Sequence, residues 1–381
     1  MRPRSRRSAA VLAVCLLALS SGAAPARAEL PQPISRDILF GNPERATPRM
    51  SPDGTRLAWL APDKKNVMQV WVKTIGKDDD KIVTADKKRG IRQYFWAEDN
   101  KTLVYTQDAD GDENFHLYGV ELASGNVRDY TPFQGVRAGL EATDPAFPDQ
   151  VLVSMNLRNR ELFDIHRLTL ATGGLTLDTE NPGDVAGWGA DSKLQVRAAQ
   201  VSTPDGGTEI RIRPDVKSPW KSWIKVGPEE ILSFLDFSLD GASAFLLSSV
   251  GNDTARVIQK NIATGVETVV AGSAEVDAGD VLIHPLRHVV QAVSFAPGRT
   301  TWKVIDPSVK GDFDAIAKLV DGDFNVLGRD ARDATWLVAF TNDHGPVRYY
   351  AWDRAGKKGT FLFVHQPKLE GLALAEMKPV V

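Results

Sequence analysis

A chain of 381 residues, 43% hydrophobic and 25% charged with a formal net charge of −3, carries enough apolar material for a sizeable core and too little charge imbalance for a disordered tail. Its mildly acidic balance argues against nucleic acid and anionic membrane as partners, because both are recognised through clustered Lys and Arg. A single cysteine, Cys15, excludes a disulfide framework.

The first segment reads as a leader. Arg2, Arg4, Arg6 and Arg7 precede an apolar run from Ala9 to Leu19, and Ala26-Arg27-Ala28 has the small-x-small form of a cleavage site. Residues 1–28 are therefore expected to be a secretory signal peptide cut near Ala28, giving a periplasmic or secreted chain. The apolar run is shorter than the roughly 20 residues a spanning helix needs, so no membrane insertion of the mature form is expected. Cys15 lies inside this run, and Val14 before it is too large for a lipoprotein cleavage site. The leader holds five of the 46 basic residues and none of the 49 acidic ones, so the mature chain stands at −8 and has no thiol chemistry.

Residues 29–47 form an irregular lead-in in which Pro31, Pro33 and Pro43 exclude a long helix. Arg45 to Met50 then precedes Ser51-Pro52-Asp53-Gly54, a turn in which Pro52 presets φ and Gly54 tolerates a positive φ. Leu57 to Leu60 reads as a strand, Val67 to Ile75 as another and Lys81 to Thr84 as a further one. The order repeats. A second unit holds Trp96 to Asn100, strands at Thr102–Thr106 and Phe115–Leu122, the turn Ala123-Ser124-Gly125-Asn126, and Val127–Tyr130. A third begins at Phe147-Pro148-Asp149, a fourth at Trp188, a fifth at Phe237, and two more divergent units at Ile283-His284-Pro285 and Asp330–Asp333.

The turns recur near positions 54, 100, 150, 192, 241, 288 and 333. Seven units of about 40–50 residues with four short strands each predict an all-β, seven-bladed β-propeller of four-stranded antiparallel blades with WD40-like repeats. It is expected over residues 48–368, with 369–381 as a C-terminal tail. Met50, Trp96, Phe147, Trp188 and Phe237, placed just before the turns, are expected to end the innermost strands and pack between blades as core.

Chemistry is sparse. In Gln107 to Asn114 the carboxylates of Asp108, Asp110 and Asp112 alternate as in a calcium loop, but glycine falls fourth rather than sixth. An exposed hairpin loop without metal or other cofactor is the expectation. Asn156 to Glu161 is read as the equivalent loop of the third unit, where Arg158 and Arg160 could clamp a carboxylate. No Gly-x-Ser-x-Gly occurs, and six scattered histidines offer neither a nucleophile's base nor a zinc site, so no catalytic residue is assigned.

With the repeats laid out, the chain resembles the propeller domain of the prolyl oligopeptidase family of serine peptidases, in particular secreted bacterial members of dipeptidyl or acylaminoacyl peptidase type. The residues carrying the resemblance are Phe40-Gly41-Asn42-Pro43, Ser51-Pro52-Asp53-Gly54, Thr131-Pro132-Phe133 and above all Gly111-Asp112-Glu113-Asn114-Phe115-His116-Leu117-Tyr118. The resemblance implies a propeller that gates and docks peptide substrate for an α/β-hydrolase domain, here expected from a separate chain, since the sequence stops where that domain would begin. Glu113 and Arg158 would face the shared cavity. The alternative is a free-standing periplasmic propeller of the TolB kind that binds protein partners. A propeller enzyme using its own tunnel and a metal is a third reading.

Overall fold

Each repeat folds as its short apolar runs, broken by turns, dictate: a first strand ahead of the turn, a second after it, then a third and a fourth, all antiparallel. In blade 1 these are Ala46–Met50, Arg56–Pro62, Met68–Thr74 and Lys81–Ile82, with Trp59 opposite Trp71 and Leu60 opposite Val70. The computed structural model describes residues 33–378 and Val380. The expected signal peptide with its cleavage site and Cys15 lie outside the described residues. Arg36–Val381 forms one compact unit.

The unit is a seven-bladed β-propeller. First strands at Ala46–Met50, Gln93–Trp96, Ala138–Ala142, Val185–Ala190, Leu232–Phe237, Ala278–Ile283 and Asp323–Arg329 stand nearest the axis, and the fourth strands form the more exposed rim. Six blades have four strands. The core is divided among seven clusters, one at each blade-to-blade interface, as when Phe237 and Leu246 of blade 5 meet Ile210 of blade 4. Sheet faces are apolar on both sides because every blade is covered by two neighbours.

Blade 6 departs from the expected four strands. After Ala278–Ile283, Val290–Phe295 and Thr301–Val304, the chain turns through Pro307–Val309 into helix α1 (Lys310–Ile316). Asp306 caps this turn by accepting a hydrogen bond from Ser308 N–H, and Val309, Phe313 and Ile316 are buried against Trp336 and Trp352 of blade 7. An apolar residue at every third or fourth position suits a helix and not a rim strand. In blade 3 the first strand is Ala138–Ala142, so Phe147 does not end it; Phe147 lies in the following turn, donating its N–H to Asp144. Ala-Gly-Leu-Glu-Ala lacks the β-branched residues that mark a strand in sequence.

Nothing latches the ring by strand exchange, since every sheet of the described residues comes from one continuous segment. Blades 7 and 1 meet through Leu57, Trp59, Ala61, Leu337, Ala339, Tyr349 and Phe363. The Arg45 guanidinium lies 5.5 Å from the Trp59 ring and 5.6 Å from that of Phe363, and Ala331 N–H donates to Pro52 O at 2.6 Å.

Candidate functional site

Four antiparallel strands in six blades, and three strands followed by helix α1 in blade 6, return the chain to the face it started from, so the ring begins and ends on one face. Glu44 N–H donates to His365 O, and Gln366 Nε2 donates to Ile38 O at 3.0 Å, tying the two ends together. Beyond them, Glu370 meets Arg348 at 2.9 Å and the Met377 N–H reaches Asp343 on the Asn342–Gly345 hairpin of blade 7. The loops between second and third strands share this terminal face. Phe40 is 81% exposed beside it and Met377 75%.

The sequence-expected site residues lie in or next to these loops, and most are engaged with other residues of the chain. Asp108 accepts from Glu113 N–H, and Asp112 accepts from Ala109 and Asn114 N–H. Asp110 pairs with Lys88 at 2.8 Å. Among the described residues no group of three or more His, Cys, Asp or Glu is placed to hold a metal. Glu113, with φ of 60°, is exposed.

Asn156 to Glu161 is not the loop that its polarity suggests. The second strand of blade 3 runs Gln150–Asn159 and the third starts at Leu162, leaving a tight turn at Arg160 and Glu161. Arg158 does clamp a carboxylate with both arms, but it is that of Asp164, at 2.9 and 2.8 Å, whose side chain is wholly buried. Burial alone would raise the Asp164 carboxyl; the Arg158 bonds and the Asn181 N–H outweigh it and hold the group below its ordinary value. Arg160 donates to the carbonyls of Asn156 and Gln134. Thus Arg158 and Arg160 are engaged within the chain, and Glu113 alone of the three points out without an ionic partner among the described residues. His116 of the family-like run pairs with Asp129 at 2.8 Å, while Tyr118 stacks on Tyr105 at 5.4 Å, both within blade 2.

The opposite face carries the turns between first and second strands. Here the axis opens into a cavity of about 460 Å³ lined by first strands and turns of blades 1, 2, 3, 6 and 7. Sequence reasoning missed it, because its wall is assembled from residues up to 288 positions apart, Arg49 and Leu337 among them. Phe95, Leu140, Leu282 and Leu327 give it an apolar wall, and Arg49, Glu98 and Arg329 give it charge. Burial, with Asp144 nearby, holds the Glu98 carboxyl above its ordinary value against a Thr143 hydrogen bond. Asp236 is raised by burial too, opposed by His288 at 2.9 Å.

These features define an unlatched seven-bladed propeller whose chain ends and long loops share one face and whose axis opens on the other. No family model matches the chain. It is 37% identical to dipeptidyl aminopeptidase BIII of Pseudoxanthomonas mexicana over 378 residues, 98% of this chain and 55% of that protein. It is 22% identical over 359 residues to dipeptidyl peptidase family member 6 of Caenorhabditis elegans, 90% of this chain and 48% of that protein. The chain thus spans about half the length of the curated relatives it matches. Among solved structures, a puromycin-hydrolysing peptidase of Mycobacterium tuberculosis superposes with a TM-score of 0.60 at 15% identity, covering 90% of this chain and 57% of that one. The β-propeller domain of the Trilobed protease of Pyrococcus furiosus, with an open velcro topology, gives 0.58 at 11% identity, covering 87% and 98%. The chain belongs to the prolyl oligopeptidase family of serine peptidases and corresponds to its propeller part.

Proposed function

We propose that this chain is the substrate-gating and docking portion of an exported peptidase that cleaves short peptides, acting with an α/β-hydrolase domain against its terminal face. The observation that carries this reading is the pairing of the ring's two ends, Glu44 with His365 and Ile38 with Gln366, on the face that holds the second-to-third strand loops. A domain following the last blade meets that face first, and a substrate on the axis passes between the two. The likeness to a dipeptidyl aminopeptidase supports peptide as the substrate class.

The test is release of chromophore from dipeptidyl chromogenic substrates. The purified chain alone is expected to show none, and the chain combined with an α/β-hydrolase domain of the family is expected to release it; turnover by the chain alone overturns the assignment. Export is checked by N-terminal sequencing of secreted or periplasmic protein, with Glu29 expected first.

A further inference from the structure

The cavity on the turn face lies at the end of the axis remote from the terminal face, and three of its charged groups have capacity left over. Arg49 is exposed; its guanidinium stands 5.8 Å from the rings of Tyr94 and Phe95 and has no carboxylate partner among the described residues. Glu98, half-buried, has no cationic partner among them. The Arg329 side chain is 6% exposed; its Nη1 donates to Gln291 and Asp333, while its Nη2 has no hydrogen-bond partner among the described residues. A guanidinium N–H shut away from water and left unbonded is costly, and a cavity wall is where an incoming acceptor could satisfy it.

The remaining polar wall is already committed. Asp333 takes Trp336 and Arg354 besides Arg329, and Asp330 accepts from the N–H groups of Ala334 and Thr335. His284 Nδ1 accepts from Leu286 and Arg287 N–H, which leaves that nitrogen without a proton. Phe95, Leu140, Leu282 and Leu327, the last 46% exposed, line the same cavity as Arg49, Arg329 and Glu98.

We propose that this turn-face cavity is a binding site for short zwitterionic peptides, with Glu98 receiving the α-ammonium, Arg49 and Arg329 the C-terminal carboxylate, and the leucines and Phe95 an apolar side chain. A free dipeptide carries both charges and an apolar group, whereas a metal ion, a nucleotide or an acyl chain matches only part of this wall. The inference extends the gating reading and rests on it for the ligand's identity, since dipeptides are what a dipeptidyl peptidase releases. Charge-assisted hydrogen bonds to both termini make the unblocked peptide the preferred ligand.

Isothermal titration of the purified chain with Gly-Phe, its N-acetyl and C-amide derivatives and the doubly blocked peptide tests the site without any hydrolase present. Gly-Phe is expected to bind saturably, each single block to weaken binding about tenfold and the double block to abolish it. R49A is expected to erase the distinction between acid and amide, and E98Q that between amine and acetylated amine. Arg49 is exposed, so R49A probes the site without disturbing the core. Equal binding of free and blocked peptides, or no saturable binding, overturns the proposal. Either result leaves the gating reading standing, because that reading is decided by turnover.

Discussion

At the scale of single residues, Ser51-Pro52-Asp53-Gly54 does more than reverse the chain. Ser51 Oγ donates to Asp53 Oδ1, which also accepts from Thr55 N–H and Thr55 Oγ1, and Asp53 N–H donates to Asn100 Oδ1 in the next blade's turn. Gly54, at φ of 72°, faces the other way: a Cβ there would meet Asp330 Cβ and Oδ2 of blade 7 at 3.1 Å. G54A therefore carries both left-handed backbone strain and crowding at the seam, and is expected to cost about 1–2 kcal/mol in denaturant titration. Arg158 and Arg160 separate in the same way. R158A leaves the buried Asp164 carboxylate uncompensated and is expected to lower Tm clearly, whereas R160A removes bonds to carbonyls near the surface and is expected to lower it less. The pH dependence has a definite sign. Asp164 is held below its unfolded value, so its contribution is full above the ordinary carboxylate range and is lost as pH falls through the lowered folded value. Thermal melts from neutral to acid pH should show a shallower acid limb for R158A than for the parent chain.

At the scale of elements, the repeat was legible because its signals are local: a tight Asp-Gly turn, then a short apolar run, as in Pro52 to Leu60 and Leu239 to Leu247. What escaped the sequence is what depends on partners. Arg158 looks like loop because Asn156 to Glu161 is polar, yet Asp164 and the paired third strand hold it extended. The turn-face cavity has no local signature at all. Helix α1 was hidden because the four-strand pattern of the units led to the expectation of a rim strand, while its actual fixing comes from blade 7. Asp312, wholly buried, accepts from Trp352 Nε1 at 2.9 Å, from Arg354 at 3.0 Å and from Lys357 at 2.6 Å. Burial would raise its carboxyl, and these donors from the neighbouring blade hold it low instead. D312N strips the charge that Arg354 and Lys357 were ordered around, and is expected to cost about 3–5 kcal/mol in chemical denaturation. Unfolding monitored by far-ultraviolet circular dichroism gives the comparison.

At the scale of the whole ring, the interfaces are not equivalent. Six of them join consecutive blades through a chain connection as well as a core cluster, and the seventh, between blades 7 and 1, relies on side-chain packing and a few hydrogen bonds. In a repeat architecture stability is approximately a sum of unit and nearest-neighbour terms, so the junction without a covalent connection is the one whose loss leaves all units otherwise intact. Phe363 sits at its centre, 5.0 Å from Tyr349 and 6.3 Å from Trp59, with Arg45 over its ring. F363A opens a cavity there and is expected to cost about 3–5 kcal/mol of local stability. Hydrogen exchange read by mass spectrometry then discriminates two outcomes. Faster exchange confined to Ala46–Ile82 and Asp323–Val364, with blade 4 unchanged, is expected of a ring that parts at its seam. Equal acceleration in all seven blades would mean that the ring opens only by unfolding, and that peptides must enter along the axis.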